Sequence, residues 1–268
     1  MSDVVDLYNN VYGDYESPAE AAVRRATYGE DIGQSSWMTA DEWLRSADRL
    51  GIGPESRVLE VGSGSGGPAV YLALMRGCSV TGVDINPHGV HNAQRLAAAR
   101  HVADRVTFHA ADAGRPLPFG DDGFDAIVSN DAMCHIPGRL EVLRDWRRVL
   151  RTGGRMCFTD AMIVTGLVSH EELATRSSIG RYVFLPPGEN ERLIAEAGFR
   201  LLAAEDLTAA AAAIAARWRA ARAENHTALV TREGAENFEG LQRFLACVQR
   251  LSEDRRLSRY SYLAEKAA

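Results

Sequence analysis

The chain is poor in the features that would make it a metalloprotein, a disulfide scaffold or a membrane protein. Its 268 residues include four cysteines, Cys78, Cys134, Cys157 and Cys247, and no two stand at CxxC spacing. Zinc clusters and disulfides are therefore not expected, whereas buried reduced thiols are. His88, His91, His101, His109, His170 and His226 stand at no metal-ligand spacing with acids or cysteines, so no metal is assigned. No run reaches about 18 apolar residues, and the opening MSDVVDLYNN has no basic stretch leading into an apolar core. A soluble, cytoplasmic chain without membrane contact is expected. An excess of cations is missing too: 30 Lys and Arg stand against 36 Asp and Glu, a net charge of −6. That balance argues against a grip on a nucleic-acid backbone and leaves a small molecule as the expected partner.

With 46% apolar residues the chain can bury one core of ordinary size. It reads as a single domain over 1–268, with a helical cap over 1–50, a ligand-binding core over 51–206, and a helical insertion with a final strand over 207–268. The organising stretch is VLEVGSGSGGP, residues 58–68. Val58, Leu59, Glu60 and Val61 predict a buried strand, the glycines at 62, 64, 66 and 67 a tight turn, and the apolar PAVYLAL a helix start. Such glycines admit positive φ and bring backbone close to a ligand, while the free N–H groups of the helix face it. A nucleotide-like ligand is expected here. Gly62, Gly64 and Gly67 also fit GxGxxG, which leaves a nicotinamide oxidoreductase open at this point. An acid about 20 residues on would hold ribose hydroxyls, and Asp84, ending SVTGVD, is placed for it.

Strand and helix signals then alternate. Trp43, Leu44, Ala47 and Leu50 share one helical face before Gly51, Gly53 and Pro54, and Pro87 opens a helix running to about residue 100. VTFHAAD ends at Asp112, FDAIVSNDAMCHIP follows, RMCFTD ends a strand at Asp160, FRLLAAED makes a sixth strand and SRYSYLAE a last one. Ser169 and Glu172 have capping-box spacing. The pattern predicts a Rossmann-like α/β fold, a seven-stranded and mostly parallel sheet with helices on both faces, whose ligands sit beyond the carboxyl ends of the strands. Glu60, Asp84, Asp112, Asp131, His135 and Asp160 all fall at or past those ends. The alanine-rich block 209–223 and a helix carrying Phe238, Leu241, Phe244, Leu245, Val248 and Leu251 are inserted before the last strand, as a lid or a homo-oligomer contact. Near the start, Val4, Leu7, Tyr8, Val11, Tyr12 and Tyr15 repeat at helical spacing.

The ordered set, from the glycine turn through Asp84, Asp112, LPF at 117–119 and SNDAMCHIP, resembles the class I S-adenosylmethionine-dependent methyltransferases. Within them it is similar to the small-molecule N-methyltransferases of glycine/sarcosine/dimethylglycine and phosphoethanolamine type, through YGEDIGQSSW (28–37), SNDAMCH (129–135) and LRTGGRMCFTD, and to natural-product methyltransferases. The resemblance implies that Glu60, Gly62, Gly64 and Gly66 hold the methionine end of S-adenosylmethionine. It implies that Asp84, with Ile85, holds the ribose, and that Asp112 and Ala113 hold the adenine, with Trp37 and Asn130 also on the cofactor. S-adenosylhomocysteine would be the product. In the phosphoethanolamine enzymes a tyrosine and a histidine pair over the site, which nominates His135 with one of Tyr8, Tyr12 or Tyr15. Tyr182 and Phe184 are further candidates for the acceptor pocket.

Methyl transfer from a sulfonium is an in-line displacement, so holding a lone pair against the methyl carbon supplies much of the acceleration. Alkylammonium and hydroxyl acceptors both gain from a base, and His135 is the candidate. Asp131 is expected to orient a cationic amine, and Asp160 to orient His135. The stretch 161–187 is more apolar than a free glycine would require. The expectation is therefore N-methylation of a small, natural-product-like amine, with O-methylation of a sugar or phenolic hydroxyl through His135 and Asp160 as the alternative. A nicotinamide oxidoreductase rests on the glycine turn alone.

Overall fold

The computed structural model describes residues 17–267; Tyr8, Tyr12 and Tyr15 lie outside them. Seven strands, β1 (Arg57–Val61), β2 (Ser79–Asp84), β3 (Val106–Ala110), β4 (Phe124–Ser129), β5 (Leu150–Val164), β6 (Arg200–Asp206) and β7 (Leu257–Glu265), form one sheet in the order β3-β2-β1-β4-β5-β7-β6. All pairs are parallel except those of β7, which runs antiparallel to β5 and β6. The order reverses between β1 and β4, which opens a crevice at their carboxyl ends.

Two cores follow from the period-two alternation of the strands. Val58 and Val80 pack with Trp43, Leu72, Val90 and Phe108 on one face, under α2 (Ala40–Leu50), α3 (Gly67–Arg76) and α4 (Pro87–Ala99). On the other face Leu59, Val61, Ile127 and Phe158 pack with Trp146 of α5 (Arg139–Val149) and Ile194 of α7 (Glu189–Glu196). Helix α1 (Pro18–Tyr28) is capped by Ser17, and Ser169 with Glu172 makes the expected capping box at the start of α6 (His170–Arg176).

Between β6 and β7 come α8 (Thr208–Glu224), α9 (His226–Glu233) and α10 (Ala235–Glu253). Small Ala211 and Ala215 let α8 lie against Leu241, Phe244, Leu245 and Val248 of α10, and the pair closes over Trp37 and Ile179. The apolar face of α10 is thus spent inside the chain, which removes the observation on which a contact between copies rested. Strand β5 does not stop at Asp160 as expected. It continues to Val164 because β7 goes on pairing with it, Val164 against Leu257, past the end of β4. No helix among the described residues is long and apolar enough to cross a membrane.

Candidate active site

At the reversal point lies a cavity of about 670 Å³, bounded by the glycine turn, the ends of β1 to β4, residues 33–37, α6 with the loop after it, and the insertion. The turn is tied to β2, since Gly62 N and Ser63 N both donate to Val83 O, at 2.8 and 3.0 Å. Gly62 has φ 78°, and a Cβ there would collide with Ala132. Gly62 and Gly64 line the cavity; Gly66 does not. Gly66 starts α3 in the left-handed region, where a Cβ would run into Ala93 and Phe108, so its glycine serves helix packing rather than ligand contact.

Glu60 is buried under this turn, and no donor reaches its Oε2. Burial, with the charge of Asp84 adding to it, holds its carboxyl well above the usual range. Asp84 accepts from Gly64 N and Asn86 N, both at 2.8 Å, and burial outweighs these two amides to raise its pKa. Ile85 is 70% exposed on the cavity rim, beside Asp112 and Ala113 on its lining. An apolar side chain on the rim, two carboxylates and left-handed glycines form a cradle suited to the apolar face, hydroxyls and cationic end of a nucleoside carrying an amino acid.

The other end departs further from expectation. Asp131 sits on the lining with φ 51°, a conformation uncommon for a residue with a Cβ, and both its oxygens are engaged. Oδ2 accepts from Trp37 N at 3.0 Å, while Oδ1 meets Arg259 Nε and Thr159 Oγ1, both at 2.9 Å. Arg259 is buried and also reaches Glu42 Oε1 at 2.8 Å and Asn130 Oδ1 at 3.1 Å. These two acids hold its pKa above the usual arginine value against desolvation. Asn130 Nδ2 in turn donates to Ser36 Oγ at 2.5 Å. Asn130 and Asp131 therefore pin Ser36 and Trp37 to the end of β4. Both oxygens of Asp131 are engaged and it shares Arg259 with Glu42, which corrects the expectation that it is available to a cationic amine.

His135 ends a 3₁₀ turn, Met133–His135, and lines the cavity. Its Nδ1 lies 2.8 Å from the carbonyl oxygen of Arg181. A carbonyl only accepts, so Nδ1 carries the proton and Nε2 is the basic nitrogen. Burial lowers the imidazole's pKa from 6.5; the Arg181 carbonyl opposes this and the charge of Arg176 adds to it. The ring of Tyr182 is 4.4 Å away, centroid to centroid.

Asp160 does not orient His135. It is 0% exposed, pairs with Arg139, accepts from Asn190 Nδ2 at 3.0 Å and Met162 N at 2.9 Å, and is absent from the cavity lining. With β5 extended, its side chain faces the first turn of α5, where Arg139 needs an anion beside the positive end of that helix. Phe184 likewise leaves the pocket to pack with Cys134, Met162 and Leu257. Among the lining residues that escaped the sequence reading are Arg176 on α6, Trp218 on α8 and Phe244 on α10. Their only sequence signal was an arginine and aromatics within otherwise ordinary helices. No cluster of three or more potential metal ligands occurs among the described residues.

Fold and cavity together define an α/β protein with a cavity of about 670 Å³ at the switch point of its sheet, where folds of this kind bind their ligands. Residues 59–158 match the family described as a methyltransferase domain. The chain is 31% identical, over 80% of its length, to 27-O-demethylrifamycin SV methyltransferase of Amycolatopsis mediterranei, of which it covers 77%. It is 33% identical, over 59% of its length, to sarcosine/dimethylglycine N-methyltransferase of Halorhodospira halochloris, of which it spans 50%. Among solved structures it resembles Haemonchus contortus phosphoethanolamine N-methyltransferase 2, in complex with phosphomonomethylethanolamine and S-adenosylhomocysteine. That likeness has a TM-score of 0.82 at 21% identity and covers 97% of this chain and 60% of the other, a likeness of fold. The chain belongs to the S-adenosylmethionine-dependent methyltransferases, and S-adenosylmethionine is its cofactor.

Proposed function

We propose that the enzyme methylates a hydroxyl oxygen of a natural-product-like small molecule, with His135 as the general base. One observation carries this reading: a half-buried imidazole on the cavity wall whose Nδ1–H is committed to the Arg181 carbonyl, so that Nε2 is basic at neutral pH. A hydroxyl becomes a competent nucleophile as its proton leaves, and a neutral, oriented histidine takes that proton. S-adenosylmethionine supplies an electrophilic methyl group. Glu60, Gly62 and Gly64 would hold its amino-acid end, Asp84 its ribose, and Ile85, Asp112 and Ala113 its adenine, with Trp37 and Asn130 closing the turn side. Asp131 acts through Arg259 and Trp37 as a positioning residue, and Tyr182 flanks the base.

The aromatic wall of Trp37, Trp218 and Phe244 suits an acceptor with an apolar body. A relative aligned over 80% of the chain is named for the methylation of an oxygen. N-methylation is the second reading, supported by the sarcosine/dimethylglycine relative. It requires an amine delivered without a carboxylate partner at Asp131.

The test is incubation with S-adenosylmethionine and paired hydroxyl and amine acceptors of one carbon skeleton, read by mass spectrometry. A methyl on oxygen, lost in His135→Ala with S-adenosylhomocysteine affinity kept, is the expected result. Methylation of amines alone overturns it.

A further inference from the structure

The acids around the acceptor end of the cavity are all paired. Asp131 is bound by Arg259, Asp160 by Arg139, and Glu172 by Arg250 and Arg256. Arg176 is left over. It is 1% exposed, it lines the cavity, and its Nε and Nη1 are buried without an acceptor. Among the described residues no carboxylate pairs with it. Its neighbours are three aromatic faces, Tyr182 at 4.7 Å, Phe244 at 4.9 Å and Trp37 at 5.9 Å from the guanidinium carbon.

Aromatic faces attract a guanidinium but accept none of its N–H donors in full, and a buried cation without an anion is a costly arrangement. It becomes favourable when a ligand brings the anion. The planar fork of arginine matches the two oxygens of a carboxylate or the edge of a phosphate. The cofactor adds a second positive charge at its sulfonium, so an anion in the remaining space would answer both.

We infer that Arg176 reads the acceptor, and that the acceptor carries an anionic oxygen group, a carboxylate or a phosphate, on the same molecule as the atom that is methylated. This rests on the reading that the cavity half lined by His135 and Tyr182 receives the acceptor. Arg176 comes from α6, on the β5 side of His135, whereas Asp84, Ile85, Asp112 and Ala113 lie past β2 and β3. That placement assigns the guanidinium to the acceptor rather than to the nucleoside. The aromatic walls hold the ring or hydrocarbon body of the acceptor, and the guanidinium fixes the end remote from the methyl.

The experiment is calorimetric titration of the full chain, saturated with S-adenosylhomocysteine, with benzoate, phenyl phosphate and neutral benzamide, in wild type, Arg176→Met and Arg176→Lys. One of the anions is expected to bind wild type at least tenfold more tightly than benzamide, and the better of the two identifies carboxylate or phosphate as the group. That preference is expected to vanish in Arg176→Met and to return in part in Arg176→Lys, with S-adenosylhomocysteine affinity unchanged throughout. Anion binding equal in wild type and Arg176→Met, or no preference over benzamide in wild type, overturns the inference. A parallel fall in S-adenosylhomocysteine affinity overturns it as well, by assigning the guanidinium to the cofactor. Anion binding that depends on Arg176 but competes with S-adenosylhomocysteine instead breaks the underlying placement of the acceptor half. Should Arg176→Met fail to fold by thermal melt, Arg176→Lys against wild type keeps the test, since a point charge without the fork must bind the anion measurably less tightly.

Discussion

Glu60→Gln gives stability and cofactor binding opposite signs, an outcome that few other substitutions in this fold would produce. Glu60 Oε2 is buried without a donor from the protein and the carboxyl's pKa is raised well above 4.5 by burial, with Asp84 contributing. A group whose folded-state pKa lies above its unfolded value contributes stability that is fully present below the unfolded pKa and is lost as pH rises through the folded one. Wild type should therefore lose stability between weakly acidic and alkaline pH in a way that the glutamine variant does not. Each tenfold change in acidity that burial imposes on the carboxyl costs its ionised form about 1.4 kcal/mol, a cost that the neutral amide does not carry. For a chain of this size each kcal/mol moves the melting temperature by roughly 2–4 °C. At pH 8 the variant without ligand should melt about 3–6 °C above wild type for each such tenfold change, and the gap should close toward pH 5. With S-adenosylhomocysteine the order reverses, because a charge-assisted hydrogen bond to its amino group is lost, a loss of about 10- to 100-fold in affinity. Thermal melts at several pH values and calorimetry read both. A variant that melts below wild type at every pH, or binds S-adenosylhomocysteine unchanged, refutes the assignment of Glu60.

His135→Ala should lower turnover by about two to four orders of magnitude while S-adenosylhomocysteine affinity stays put; an unchanged rate would make the histidine structural. Since burial depresses the imidazole pKa from 6.5, the base form dominates at neutral pH. The acid limb of the pH–rate profile should fall below 6.5, and a limb above 7 contradicts this. By linkage, any stability due to His135 is present above 6.5 and lost as pH falls toward its folded pKa. Asp160→Asn leaves Arg139 buried against a neutral partner, so denaturant melts should show a loss of about 3–5 kcal/mol, while the acid limb moves only slightly to lower pH, because the charge of Asp160 is the weakest of the influences that act on His135. Loss of most of the turnover at the pH optimum would restore Asp160 to the base. Gly62→Ala forces a Cβ into Ala132 at a positive φ, and it should abolish S-adenosylhomocysteine binding in a calorimetric titration; retained affinity would mean that the turn is more pliant than its packing implies.

The strand, glycine turn and helix at 58–76, the acid at 84, and the alternation of strands and helices were legible from spacing alone. These are local patterns: periodicity, turn chemistry and capping act within a few residues, so Glu60, Gly62, Gly64, Asp84 and Asp112 could be placed at or past the carboxyl ends of strands from spacing, while their order along the cofactor came from the family resemblance. Side-chain engagement is not local. Asp131 and Asp160 look alike in sequence, each at the end of an apolar strand, yet arginines 128 and 21 residues away claim them, Arg259 from β7 and Arg139 from α5. Gly66 reads as one more ligand glycine, and only the proximity of Ala93 and Phe108 reveals it as a packing glycine. Phe184 was turned from the pocket by the bridge of Leu185 to Ile163 and the apolar cluster behind it. The chain's pattern determined the fold, the cofactor cradle and the candidate base. The pairing of charges in the acceptor half, with Asp131 tied to Arg259 and Arg176 left without an anion, was decided by tertiary structure, because which buried charges find partners depends on segments that meet only when the sheet is assembled.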